Sequence, residues 1–102
     1  MNYTSLGDAL NEVHDGWKEI VTRCYEACVK HDVEILQIKE KFGGLRFYVG
    51  QAPDIVHDII AKAESESLKT CERCGEPGTL TGTHWVLTLC KKCDKKSREG
   101  GQ

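Results

Sequence analysis

The sequence has no long hydrophobic run, few prolines and few aromatic residues. No apolar stretch approaches the roughly 18 residues that a membrane-spanning helix needs. The first five residues have neither the basic start nor the apolar stretch of a secretory signal. With only 2 Pro and 10 Gly among 102 residues, the composition excludes a collagen-like chain or a proline-rich linker. We therefore expect a single cytoplasmic domain with no membrane segment.

The sequence also lacks a strong excess of either positive or negative residues. The 14 Lys and Arg residues nearly balance the 16 Asp and Glu residues, which leaves a formal net charge of −2. Residues 1–70 are net acidic, whereas residues 71–102 are net basic. This distribution excludes a uniformly basic nucleic-acid-binding protein, but it permits a local basic patch near the C-terminal end.

Apolar residues at steps of three and four predict an amphipathic helix between Leu6 and Cys28. Ser5 has a side chain suited to cap the first turn of this helix. Gly16 lies within the pattern and disfavours helix by about 1 kcal/mol relative to Ala. We therefore expect the helix to bend or break at Asp15-Gly16.

Two short segments after this helix have the composition of strands. Residues 33–39 are rich in β-branched side chains that nearly alternate with polar ones, and residues 45–49 are rich in aromatic ones. Gly43 and Gly44 lie between them, so the pattern predicts an antiparallel hairpin with a positive φ at one of these glycines. Pro53 then suits the first turn of a second helix. The predicted apolar face of that helix contains Ile55, Val56, Ile59, Ile60 and Ala63.

Four of the six cysteines form two CxxC pairs, Cys71 with Cys74 and Cys90 with Cys93. A two-residue gap lets two thiolates from one tight turn reach the same cation at about 2.3 Å, and this spacing is typical of four-cysteine zinc sites. Residues 79–89 predict a hairpin that returns the second pair to the first, as in a zinc ribbon. Four thiolates close the coordination shell, so we predict one structural Zn²⁺ ion. A redox CxxC would be expected in a βαβ setting, which the pattern lacks.

These elements predict an α+β fold in the order N-terminal helix, β-hairpin, second helix and C-terminal zinc-ribbon hairpin. Residues 1–70 would form the helix-hairpin-helix part and residues 71–95 the ribbon. Residues 96–102 are polar and predict a flexible tail.

The remaining two cysteines have two interpretations. Cys24, Cys28 and His31 are spaced to share one helix face, so they would bind a second metal ion if a fourth donor were supplied. Both cysteines also lie on the apolar stripe of the helix, where buried cysteine is common. The sequence favours the core interpretation.

Two sets of side chains are candidates for partner binding. An acidic set with a ribbon tryptophan would contact a basic protein surface: Glu12, Asp15, Glu19 and Trp85. A basic set with one aromatic residue would hold phosphates and stack on bases: Lys41, Arg46, Phe47, Lys91, Lys92, Lys95 and Lys96. The hairpin members of the basic set have a structural alternative, in which the aromatic side chains pack in the core and the basic ones face water. The C-terminal lysines have one too, as a solvated chain end. No Ser-His-Asp set, P-loop or paired-carboxylate motif stands out, so we expect no enzymatic activity.

Three segments carry a family resemblance. Residues 37–48 read QIKEKFGGLRFY, residues 71–78 read CERCGEPG, and Trp85 precedes LCKKC at 89–93. They resemble a family of small uncharacterised proteins of bacteria and their phages, which pair a KFGGLRFY-type segment with a C-terminal two-knuckle ribbon. The resemblance covers about residues 17–93 and implies a phage or mobile-element setting. Small acidic proteins in that setting often bind and block a host protein, including defence nucleases such as CRISPR complexes.

Residue chemistry and resemblance together predict a non-enzymatic zinc-binding protein. It would bind and modulate or block a host protein in the host cytoplasm, with an anti-CRISPR inhibitor as one form of this function. The alternative is a small nucleic-acid-binding zinc ribbon that uses the basic C-terminal segment and the aromatic hairpin.

Overall fold

The computed structural model describes residues 3, 5–82 and 86–100, with side chains as far as residue 96. Its elements follow the predicted α+β order, with one 3₁₀ helix before α2 and one further helix at the C-terminal end. They are α1 (Leu6–Leu10), the 3₁₀ helix (Asp15–Trp17), α2 (Lys18–Lys30), β1 (Ile35–Lys41), β2 (Gly44–Val49), α3 (Asp54–Ser67), β3 (Thr79–Thr81), β4 (Leu87–Leu89) and α4 (Lys91–Gly100). We call residues 3–70 the body and residues 71–95 the ribbon.

The predicted N-terminal helix is divided into three pieces. The Ser5 Oγ caps α1 by accepting the Asp8 N–H at 3.2 Å. The chain then leaves the α-helix and re-enters it through the 3₁₀ helix that contains Gly16. The Gly16 N–H donates to the Glu72 carbonyl at 2.9 Å instead of to a helical carbonyl. The predicted break is therefore confirmed, and a contact with the ribbon accompanies it.

Strands β1 and β2 form the predicted antiparallel hairpin, with Ile38 opposite Phe47 and Lys41 opposite Gly44. The two turn residues, Phe42 and Gly43, have φ values of 54° and 82°. Positive φ at both central positions is the signature of a type I′ turn, which matches the twist of the flanking strands. The positive φ predicted for one glycine is found at Gly43, whereas that of Phe42 is unexpected for a bulky side chain.

Side chains from neighbouring elements satisfy the outward backbone groups of this small sheet. The Ile38 N–H donates to the hydroxyl of Tyr3 at 2.9 Å. On the β2 side, the Leu45 N–H donates to the Ser67 Oγ and the Phe47 N–H to a Glu64 carboxylate oxygen, each at 2.9 Å. These acceptors cap strand edges that would otherwise be open to pairing with another chain.

The hydrophobic core lies between the hairpin, α2 and α3, and every described side chain in it belongs to the body. Its largest member is Trp17, which is 1% exposed. From α3, the residues Val56, Ile60 and Ala63 are buried. The predicted α3 face was wrong at Ile55, which is 52% exposed because one residue along a helix turns the side chain about 100° from the Val56 stripe.

The ribbon hairpin pairs β3 with β4, and Leu80 lies opposite Thr88. Helix α4 begins directly after Cys90 and keeps a helical backbone as far as Gly100. The segment predicted as a tail from residue 96 is therefore helical for its first five residues, and residues 101 and 102 lie outside the described part of the chain.

Replacing Gly43 by Val should destabilise the folded protein by more than about 1 kcal/mol, because a β-branched residue is strained at a φ of 82°. Urea denaturation of the zinc-loaded protein measures this change. Gly50→Val is the matched control, since a Cβ there would have only ordinary contacts at 3.9 Å with Glu34. Equal unfolding midpoints for the two variants would contradict the assignment of the turn.

Candidate metal centre

The two cysteine pairs lie on different kinds of local structure. In the first pair, the Cys71 N–H donates to the Glu76 carbonyl at 2.7 Å and the Gly75 N–H returns to the Cys71 carbonyl at 2.9 Å, which forms a tight knuckle. The second pair spans the start of α4, where the Cys93 N–H points at the Cys90 sulfur at 3.4 Å. Strands β3 and β4 connect the two pairs and bring them together.

The four Sγ atoms of Cys71, Cys74, Cys90 and Cys93 all lie within 4.8 Å of one another. The Cys74 and Cys90 sulfurs are 3.6 Å apart. A tetrahedral ion with metal–sulfur bonds of about 2.3 Å places its ligands about 3.8 Å apart, so the cluster has the size of a four-thiolate metal site. A disulfide would need about 2.05 Å. The four cysteines are thus positioned to bind one metal ion.

The thiols of this cluster differ in how readily they lose a proton. Burial raises the pKa of Cys71, but backbone N–H groups of Cys90, Cys74 and Arg73 outweigh it and lower the value to about 6. Burial and the neighbouring thiols raise the pKa of Cys93 to about 12. The Cys71 thiol therefore ionises readily, and its negative charge disfavours ionisation of the neighbouring thiols. A bound cation compensates this repulsion, so metal binding should release protons.

Hydrogen bonds hold the ribbon, and the residue that precedes it, against the body. The Gly16 N–H donates to the Glu72 carbonyl within the first knuckle. The hydroxyl of Thr88, which is fully buried, donates to the Gly43 carbonyl at 2.6 Å. The indole N–H of Trp17 donates to the carbonyl of Thr70, the residue before the knuckle, at 2.9 Å. The metal centre is thus fixed against the 3₁₀ helix on one side and the hairpin turn on the other.

Gly16 and Thr88 matter to this site, and the ligand spacing does not reveal them. An isolated glycine inside a helical pattern was the only sequence signal for Gly16, because such a glycine often has a packing reason, and Thr88 had no signal. An ideal Cβ at Gly16 would clash with the Cys71 carbonyl oxygen and lie 2.6 Å from backbone atoms of Glu72 and Gly75. Position 16 requires glycine, because the first knuckle occupies the space that a Cβ would need.

Cys24 and Cys28 are buried in the body core, at 0% and 1% exposure. Burial raises the pKa of Cys24 to about 12 and that of Cys28 to about 11. His31 is exposed at the end of α2, and no group of three possible ligands among the described residues includes any of these side chains. The geometry supports the core interpretation over a second metal site.

Cys24→Ala and Cys28→Ala should each cost on the order of 1 kcal/mol of unfolding free energy, because each leaves a small void in the core. The zinc content should stay at one ion per chain in both variants and in the double variant. Elemental analysis beside urea denaturation tests both statements. Loss of a second metal equivalent from the double variant would restore the rejected interpretation.

The acidic candidates lie on the surface of the N-terminal segment. Glu12, Asp15 and Glu19 are exposed, and Asp15 forms an ion pair of 3.0 Å with Lys18. A carboxylate oxygen of Glu12 accepts the Tyr3 hydroxyl at 3.4 Å. The fourth candidate, the ribbon tryptophan at position 85, lies outside the described residues.

The basic candidates divide into accessible and inaccessible groups. The four α4 residues are exposed and fall into two adjacent columns of one helix face: Lys91 with Lys95 and Lys92 with Lys96. Lys41 is exposed and its ammonium lies 5.7 Å from the Phe42 ring, while Arg46 is half-buried. Phe47 is 3% exposed and packs in the core, so its role as a base-stacking residue was wrong.

Comparisons with known proteins found no matching family model, no matching curated protein and no matching solved structure. Among the described residues, no helix combines the length and hydrophobicity that a transmembrane segment requires. The interpretation of the site therefore depends on its own geometry.

Proposed function

We propose that this chain is a small non-enzymatic binding protein whose ribbon is built around one structural Zn²⁺ ion. The observation that supports this proposal is that the four cysteine sulfurs lie within 4.8 Å of one another. Thiolates arranged tetrahedrally favour zinc over harder cations. Four protein ligands fill the coordination shell, so the ion would hold the ribbon together and leave no position for a substrate.

We propose a protein rather than a nucleic acid as the partner. Phe42 at the hairpin turn and Leu80 of the ribbon are 71% and 52% exposed, and an ideal Cβ on Gly43 between them would lie 2.5 Å from the Leu80 side chain. An accessible aromatic residue beside an aliphatic one is typical of a protein-binding anchor. The acidic first 70 residues favour a partner with a basic surface. A host protein, modulated or blocked by the complex, is the partner that the family resemblance implies.

The lysine columns of α4 favour the second candidate function, nucleic-acid binding. Lys91, Lys92, Lys95 and Lys96 form a compact exposed basic face, which is suited to phosphates. The loss of Phe47 as a stacking residue weakens this candidate. The net charge of −2 also opposes binding over the remaining surface.

A capture experiment separates the two candidates. The zinc-loaded, tagged protein is incubated with host lysate with and without nuclease treatment, and retained proteins are identified. We expect a protein complex that survives nuclease digestion and weakens when Glu12 and Glu19 are changed to Lys. Replacing all four α4 lysines by Ala should leave that complex intact.

The same variants are tested against duplex and single-stranded oligonucleotides. We expect no binding tighter than about 10 μM at physiological salt, near the non-specific range. Sub-micromolar, salt-sensitive binding that the four-lysine variant loses would replace the protein partner with a nucleic acid.

A further inference from the structure

A cavity of about 410 Å³ lies where the N-terminal segment, β1 and the first knuckle meet. Its polar wall includes the carboxylates of Glu12, Glu40 and Glu72, and its apolar wall includes Trp17 and Ile38. We propose that this cavity binds a guanidinium group, supplied by an arginine side chain of the partner protein. The assignment of an arginine rests on the proposed function, whereas the affinity of the cavity for guanidinium does not.

The central observation is an unsatisfied carboxylate oxygen. Glu72 is only 3% exposed, and its Oε2 has no hydrogen-bond partner within the described part of the chain. The Glu72 backbone lies beside β4, where its N–H donates to the Thr88 carbonyl at 3.0 Å. A buried carboxyl oxygen without a hydrogen-bond partner is unfavourable, and native structures rarely retain one. A ligand with a hydrogen-bond donor would complete this site.

The cations that the cavity already contains do not supply that donor. Arg73 lines the cavity and acts on Glu72 through its charge, yet it is exposed and makes no hydrogen bond to Oε2. The ammonium of Lys39 lies over the Tyr48 ring, 5.9 Å from its centre. Glu40 partly engages the hairpin, since its Oε2 accepts the Gly43 N–H at 2.6 Å.

The arrangement of the carboxylates favours an extended cation over a metal ion. Among the described residues, the cysteine cluster is the only group of three or more possible ligands close enough to share one ion. Glu12, Glu40 and Glu72 line one cavity without converging on one point. A guanidinium presents five N–H donors in a planar fork and reaches several acceptors at once.

The experiment uses the purified zinc-loaded protein and two small probes of similar shape, butylguanidinium and its neutral analogue butylurea. Each probe is titrated while amide and indole N–H signals are followed by NMR. We expect butylguanidinium to shift the Trp17 indole and the Glu72 and Thr88 amides, with a dissociation constant on the order of 1 mM. Butylurea should shift them at least tenfold more weakly. Equal responses to both probes would overturn the proposal.

Glu72→Gln keeps the side-chain shape, removes the charge and should weaken butylguanidinium binding at least tenfold. Glu26→Gln makes the same charge change on the exposed surface of α2, outside the cavity, and should leave the binding unchanged. Zinc content and the amide spectrum confirm that each variant is folded. If Glu72→Gln does not fold, Glu40→Gln provides the test and should weaken binding severalfold. Unchanged binding in the folded Glu72→Gln variant, or in its Glu40→Gln substitute, would disprove the site.

The two proposals can fail separately. A protein complex captured from lysate that is insensitive to Glu72→Gln would disprove the arginine assignment and leave the proposed function standing. Guanidinium binding to the pure protein without any captured protein would disprove the proposed function and, with it, the arginine assignment, but would leave the guanidinium site standing.

Discussion

Removing the metal ion should unfold the ribbon while the body keeps its helices and hairpin. The core residues all belong to the body, whereas the buried apolar side chains of the ribbon are confined to Cys71 and Leu89 among the described residues. A segment with so little apolar burial depends on its metal, and structural zinc in zinc-finger peptides has an apparent binding free energy of about 10–16 kcal/mol. We expect one zinc ion per chain by elemental analysis.

A chelator titration followed by NMR measures this effect residue by residue. Signals from β3, β4 and the knuckles should collapse toward unfolded positions, and those from α2 and α3 should persist. Cys71→Ser should reproduce the chelated state without chelator, since Cys71 is the buried ligand. Cys28→Ala is the matched control and should retain the ion. A zinc-free protein with an intact ribbon spectrum would contradict the structural role of the metal.

Gly16→Ala should be the most damaging small substitution in the body. The added Cβ would lie 2.6 Å from backbone atoms of Glu72 and Gly75, and backbone cannot move aside as a flexible side chain can. The knuckle must therefore shift and strain the Gly16–Glu72 hydrogen bond. We expect a loss of about 3 kcal/mol in the zinc-loaded protein, at the upper end of overpacking costs. Zinc transfer to a competing chelator should also accelerate at least tenfold.

The control for this prediction is Gly7→Ala in α1. A Cβ there would meet only the Ser5 hydroxyl at 3.6 Å, an ordinary contact. Because Ala favours helix over Gly by about 1 kcal/mol, this variant should be as stable as the parent or more stable. If Gly16→Ala unfolds at the same urea concentration as Gly7→Ala, the packed contact with the knuckle is wrong.

Local chemistry explains what the sequence predicted. The CxxC spacing, the Ser5 cap and the glycine turn each depend on residues a few positions apart, and all three are present in the fold. The hairpin was predicted, but the alternation of its side chains left both faces possible for Phe47. Burial against α2 and α3 decided between them.

Long-range contacts explain what the sequence did not predict. The buried position of Glu72 beside Glu40 depends on the ribbon folding back against β1, and no local pattern encodes this. The exposure of Ile55 depends on where α3 meets the hairpin. The interruption of the N-terminal helix was expected from glycine alone, yet its close contact lies more than fifty residues farther along the chain.

The bonds that join Gly16 to Glu72 and Thr88 to Gly43 connect segments that are far apart in the chain. They can form only when the ribbon is folded, and the ribbon, with so little buried apolar surface, folds only around its ion. We therefore expect the body to fold first and the ribbon to capture its ion in a later, slower step. On rapid mixing of apo-protein with zinc, the observed rate should level off as the zinc concentration rises. The rate of zinc incorporation would then be limited by a conformational change of the chain rather than by the zinc concentration.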